Sequence, residues 1–158
     1  RDYFIDNPVK NDFKQTKANP LDKYINLENK KNEKYYLPVE NKFGAMLFQN
    51  LKDKPKYSLA QLRKNYVRSI PYGSCPTLTA NMGRGGHNVP FIIDNFGLRK
   101  LTEEECLKLQ GFKSLLKVPD NISSSRIYEM IGNSVSPMIS SIIAKKIYLL
   151  LKEECSIT

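Results

Sequence analysis

The residues in this chain best suited to chemistry are cationic and hydroxylic. Between Lys52 and Arg84 stand seven basic residues (Lys52, Lys54, Lys56, Arg63, Lys64, Arg68 and Arg84) against one acid, Asp53, a net of +6. Tyr57, Tyr66 and Tyr72 are interleaved with them. Cations displace the counterions condensed on a phosphate backbone and hydroxyls donate to phosphate oxygens, so the window suits nucleic acid. A solvated basic face with no partner would have the same composition. Within it, Thr77-Leu78-Thr79-Ala80-Asn81 offers hydroxyls and an amide that can fix register on a phosphate backbone. Gly83-Arg84-Gly85-Gly86-His87 is a loop whose glycines allow close backbone approach, with Arg84 able to fork onto guanine O6 and N7 or to clamp a phosphate. A nucleotide-phosphate loop would need a strand–GxxxxGK–helix context, which is missing here. Were residues 58–69 one strand, Lys64, Tyr66 and Arg68 would share a face and Arg63 would point the other way. Which of them reads bases stays open.

Metal and nucleophile chemistry fare worse. Cys75, Cys106 and Cys155 are odd in number and widely spaced, and His87 is the sole histidine. There is no CxxC pair and no second ligand near His87, which argues against a disulfide framework and a zinc site and fits a reducing compartment. The 158 residues carry a net charge of +9, with 41% hydrophobic and 26% charged residues. This is globular composition, enough for one domain or a compact domain plus an appendage. No stretch approaches 18 apolar residues free of charge, so no membrane partner is expected. No basic leader with an apolar core opens the chain, and a cytoplasmic protein is expected. Residue 1 is Arg, which points to a piece of something longer.

Several elements must position these groups. Residues 1–34, rich in Asn, Lys and Asp, read as an extended connector with one helical turn near 20–25. Tyr35-Tyr36-Leu37-Pro38 reads as an anchoring patch. A short helix is expected over 41–49, with Phe43, Leu47 and Phe48 on one side and Gly44 weakening it. Residues 58–69 fit strand or helix. Residues 77–80 and 89–93 read as short strands between Gly/Pro turns, suggesting a small irregular β domain. Thr102-Glu103-Glu104-Glu105 is a capping box opening a helix that runs to Gln110 and stops at Gly111. A helix is expected to start in the Ser123-Ser124-Ser125 run and cover 126–130. The last helix has Ser136 as N-cap and Pro137 in its first turn. Its Met138, Ile139, Ile142, Ile143, Ile147, Leu150 and Leu151 form a broad apolar stripe that wants covering.

Two blocks are more specific than composition. The first is Arg99-Lys100-Leu101-Thr102-Glu103-Glu104-Glu105-Cys106-Leu107-Lys108-Leu109-Gln110-Gly111-Phe112, and the second is Gly132-Asn133-Ser134-Val135-Ser136-Pro137. In this order and spacing they resemble the last two motifs of the bacterial DNA cytosine-5 methyltransferases. Gln61-Leu62-Arg63-Lys64-Asn65-Tyr66-Val67-Arg68 and the stretch from Cys75-Pro76-Thr77 to Asn88-Val89-Pro90 resemble the target-recognition region of the same family. The resemblance covers roughly residues 20 to 150.

It implies an α+β chain: a small β-rich target-recognition domain with short helices over 35–120, after a connector over 1–34. A C-terminal part over 121–158 would follow, whose helix docks on a Rossmann-like catalytic domain not present here. The implied activity is methyl transfer from S-adenosylmethionine to C5 of a flipped-out cytosine in duplex DNA, as in restriction-modification. The family's nucleoside-binding glycine fingerprint, Pro-Cys nucleophile and Glu-Asn-Val stretch are missing from this chain, and Cys75 precedes a proline instead of following one. The chain is therefore expected to be inactive without a catalytic portion or subunit, and to hold no catalytic residue. The implied DNA-binding residues are Arg63, Lys64, Tyr66, Arg68, Thr77, Thr79, Asn81, Arg84, His87 and Arg99, and the cofactor-side residues are Asn133 and Ser134. The usual proline after the Gly-Phe pair is replaced by Lys113. Self-association through the uncovered last helix is expected. The alternative is a standalone DNA-binding module with no catalytic partner.

Overall fold

The computed structural model describes residues 21–84, 88–112 and 121–155, with side chains to 152. Residues 1–20 of the expected connector, Gly85, Gly86, His87 and Lys113 lie outside the described residues.

A four-stranded antiparallel sheet organises the fold. Its strands are β1 (Ala60–Leu62), β2 (Val67–Ser69), β3 (Phe91–Asp94) and β4 (Gly97–Lys100), in the order β2-β1-β3-β4. Residues 58–69, read as one strand or helix, are in fact a hairpin, with Ala60 opposite Ser69 and Leu62 opposite Val67. Residues 63–66 form its loop, closed by the Arg63 amide donating to the Tyr66 carbonyl at 2.8 Å. Strand β4 overlaps the start of the Arg99–Phe112 block at Arg99 and Lys100, a stretch read only as leading into a helix; the β3–β4 turn is held by Asp94 Oδ1, which accepts from the amides of Phe96 (2.8 Å) and Gly97 (3.0 Å). Gly97 has φ 144°, open to glycine and strained for other residues.

Side chains alternate across a sheet, and here the two faces bury two separate cores. Ala60, Leu62, Phe91 and Leu98 face Leu47 and Leu51 of helix α1 (Lys42–Leu51). Asn41 caps α1 by accepting from the Gly44 amide at 2.6 Å. Gly44 does not break the helix, since it is buried where a Cβ would strike the Pro38 carbonyl. Phe43 stays exposed, so the buried side is Gly44, Leu47 and Leu51.

The opposite face carries Leu59 and Ile92 into the larger core with Leu78, Met82, Val89, Leu101, Cys106, Tyr128 and Ile131. Leu21, Ile25 and Leu27 join it. The expected helical turn is present as a 3₁₀ turn, Leu21–Lys23. The segment around it is packed into the core, not extended as a connector would be, because its three aliphatics outweigh its polar composition.

Helix α2 (Glu103–Gln110) starts on the expected capping box and ends at Gly111 in left-handed conformation, φ 99°. The Phe112 amide returns to the Leu107 carbonyl at 3.0 Å, satisfying a terminal acceptor. Helix α3 (Ser124–Asn133) is capped by Ser123 and extends beyond the expected 126–130. Tyr128 fastens it by donating to the Leu101 carbonyl at 2.6 Å. Helix α4 (Pro137–Cys155) begins where expected, with the Ser140 amide donating to the Ser136 carbonyl. The α+β class stands.

Candidate nucleic-acid interface

Leu78 and Met82 are buried in the larger core, whereas Thr77, Thr79, Asn81 and Arg84 are exposed. The segment 77–80 is not a strand. It is extended up to Thr79 and then turns into a 3₁₀ helix, Ala80–Gly83. Ladder partners do not hold it; helix α3 does. A Cβ on Gly132 would overlap the Thr79 carbonyl group and the Ala80 nitrogen, and one on Gly83 would overlap the Ser125 carbonyl oxygen and come within 2.8 Å of Glu129 Cβ. Two glycines thus let two backbones touch, one on each element. The row of hydroxyl, amide and guanidinium groups therefore stands on a rigid base. Residue type alone aims the close approach of Gly83 at DNA and gives Gly132 no packing role; the available signal was Gly132 itself, one residue inside the end of α3 and so outside the C′ position.

The hairpin loop presents Lys64 and Tyr66 to solvent, Tyr66 at 58% exposure, and Arg68 is exposed on the edge strand. Lys64 and Tyr66 lie in the loop, so the shared strand face with Arg68 does not arise. Arg63 is half-buried. Its Nη2 donates to Gln61 Oε1 at 3.1 Å, and Gln61 Nε2 donates to the Asn88 carbonyl at 3.1 Å.

Arg99 is a correction. It was expected at the DNA, but its side chain has 0% exposure. On β4 it alternates with Leu98 and so points to the face opposite α1, the face that Asp94 also takes. Its Nε donates to Asp94 Oδ2 (2.6 Å), Nη1 to Glu105 Oε2 (2.8 Å) and the Lys100 carbonyl (3.3 Å), and Nη2 to Glu105 Oε1 (2.9 Å) and the Asn26 carbonyl (3.1 Å). Every guanidinium donor is satisfied inside the protein, leaving none for a phosphate. Burial disfavours its charge, but Glu105 and Asp94 outweigh that and hold its pKa above the ordinary arginine value. Arg99 joins the β3–β4 turn, the α2 cap and the 21–27 segment.

Beside this cluster the Tyr35 hydroxyl donates to Glu103 Oε2 at 2.5 Å, and Lys34 Nζ donates to Ser124 Oγ at 2.8 Å. Burial pushes Glu103 upward, but the Ser124 and Tyr35 hydroxyls and Lys34 prevail, and its pKa lies below the usual carboxylate range. Cys75 is half-buried and its thiol is pushed up to about 12 by burial, unlike an activated nucleophile.

Asn133 is exposed at the end of α3. Ser134 is half-buried, and both its amide (3.2 Å) and its hydroxyl (2.6 Å) donate to the Ile131 carbonyl. Gln110 Nε2 holds the Ser134 carbonyl at 3.1 Å. Both donors of Ser134 are thus directed to the Ile131 carbonyl. The Oγ lone pairs remain as acceptors, and the Asn133 amide can both donate and accept.

Helix α4 has exposed Ile139, Ile142, Ile143, Ile147, Leu150 and Leu151 along its length. The stretch 124–152, helical on both sides of the break at 134–136, is long and apolar enough by length and mean hydropathy to cross a bilayer. Lys145 and Lys146 fall in the middle of α4, and each would cost about 3 kcal/mol at a bilayer centre.

The family model for C-5 cytosine-specific DNA methylases matches residues 3–149. The type II methyltransferase M.Bsp6I of Bacillus sp. (strain RFL6) is 39% identical over 127 residues, covering 78% of this chain and 39% of that protein. The chain thus spans about two fifths of that relative's length. With 147 of its 158 residues inside the family match, the chain belongs to the C-5 cytosine-specific DNA methylase family.

Proposed function

We propose that this chain is the DNA-recognition portion of a DNA (cytosine-5) methyltransferase, acting in the bacterial cytoplasm as the modifying half of a restriction-modification pair. One observation carries the reading furthest. Gly132 seats the cofactor-side turn directly on the backbone of Thr79, so the residues facing DNA and those facing the cofactor belong to one rigid unit.

In this reading Thr77, Thr79, Asn81 and Arg84 donate to the backbone of duplex DNA near the target cytosine, and the hairpin loop enters a groove. His87, three residues after Arg84 in sequence, is assigned to the same set of DNA contacts. S-adenosylmethionine supplies the methyl group when bound. Its methionine end fits the residues present: the Asn133 amide suits the carboxylate, and the Ser134 Oγ lone pair suits the ammonium. Two side chains do not make a pocket, and the nucleophile and base-activating carboxylate belong to another portion or subunit. The stripe on α4 docks on that portion, and it joins a second copy of the chain when the portion is missing.

The test mixes this chain with a catalytic portion carrying the Pro-Cys motif, supplies labelled S-adenosylmethionine and duplex DNA, and locates the methyl group by bisulfite sequencing. The chain alone should give no transfer, and the mixture should modify cytosine at one short site. Persistent failure of the mixture to modify any cytosine overturns the reading.

A further inference from the structure

Arg63 differs from the basic residues around it in being held. Gln61, which receives it, is 3% exposed, and both ends of its amide are bonded. Turning that amide over would set Nε2 against the guanidinium and Oε1 against the Asn88 carbonyl, so it has one orientation. Gln61 thereby fixes the direction of Arg63 and ties the hairpin to Asn88.

The braced guanidinium borders a cleft of about 460 Å³ lined by Phe43, Leu62, Arg63, Lys64 and Asn88. Among the described residues one donor of Arg63 is committed, to Gln61, and four remain. An aromatic ring, an aliphatic wall, a fixed guanidinium and an amide residue suit the edge of a base. Lys64 and Arg68 are different: both are exposed, and neither makes a side-chain hydrogen bond or ion pair among the described residues. A freely rotating cation takes a phosphate wherever it meets one, whereas a base edge asks for two donors held in one plane. We infer that Arg63 reads a base, guanine by the match of its fork to O6 and N7, and that Gln61 is the positioning residue that aims it. Lys64, Tyr66 and Arg68 serve the phosphate backbone. This assignment rests on the DNA-recognition reading above and names its specificity-determining residue.

The test uses the chain assembled with a Pro-Cys-bearing catalytic portion. A duplex selected from a randomised library is compared with a scrambled duplex of equal length, across a range of salt. Arg63→Ala should reduce the ratio of the two affinities by about 10- to 100-fold. Arg63→Lys should lose the same ratio while keeping affinity for the scrambled duplex. Lys64→Ala and Arg68→Ala should weaken both duplexes alike and lower the salt slope by about one each. Gln61→Leu should lower the ratio on its own and add nothing in the Arg63→Ala background; Gln61→Glu, which keeps the acceptor for Arg63 but cannot donate to Asn88, serves if Gln61→Leu does not fold. An unchanged ratio in both Arg63 variants overturns the base-reading role. Full additivity of Gln61→Leu and Arg63→Ala overturns the positioning role. Unsubstituted enzyme with no preference between the duplexes overturns the recognition reading itself, and this assignment with it.

Discussion

Gly132, in the last turn of α3, lies directly on the peptide group that joins Thr79 to Ala80. One methyl group at this position would overlap that peptide. In most exposed helices Gly→Ala stabilises by about 1 kcal/mol. Here Gly132→Ala should reverse the sign and destabilise by about 1–3 kcal/mol, since the two backbones must separate. Urea unfolding of the two proteins measures this. An alanine variant as stable as the parent would mean that the contact is loose and the two motifs are not one unit.

Arg99 with Asp94 and Glu105 makes a second prediction. Removing one member of a buried ionic group leaves charge uncompensated, so Arg99→Met should cost about 3–5 kcal/mol. Arg99→Lys should not restore it, because an ammonium offers three donors and no fork. Adding Asp94→Asn and Glu105→Gln to Arg99→Met should recover much of the loss. Three equal melting curves from these variants would contradict the buried cluster.

Acid stability should depend on Glu103. Its pKa in the folded chain is depressed, so its contribution is present above the unfolded value, about 4.3, and is lost as pH falls through the folded value. Unfolding midpoints between about pH 6 and pH 3 should therefore fall more steeply for the parent than for Glu103→Gln. At the alkaline end Tyr35 and Tyr128 work in the opposite sense. Burial raises both pKa values, so their contribution is lost as pH rises above about 10, where the unfolded chain ionises first. Superimposable acid limbs for parent and variant would remove Glu103 from the account.

Helix α4 supplies the fourth. Ile142 and Ile147 are 41% and 52% exposed on one apolar stripe. The chain without a catalytic portion should associate with itself as concentration rises, seen by sedimentation equilibrium. Ile142→Asp with Ile147→Asp should return it to monomer and leave the melting temperature of the core nearly unchanged, since no residue of α4 between 137 and 152 is buried. A parent chain monomeric at high concentration would show that the stripe is tolerated in water.

Local rules reached the helices. The Thr102–Glu105 capping box, the stop at Gly111, the Ser123 cap and the start at Pro137 are written in adjacent residues, because caps and left-handed turns are satisfied within a few positions. The motif order likewise carried the family. Strand pairing was not legible in the same way. The hairpin at 60–69 and strand β4 close locally, but strands of three or four residues are too short to show an alternation. The burial of Leu21, Ile25 and Leu27 depends on partners distant in sequence. The sites divide along the same line. The sequence by itself determined that cations, hydroxyls and amides cluster at 63–84 and 133–134, for residue type and spacing are properties of the chain. Only the tertiary structure decided that Arg99 is enclosed by carboxylates, that Gln61 braces Arg63 and that Gly132 meets Thr79, because which way a side chain points depends on the strand face it occupies and on what packs against that face.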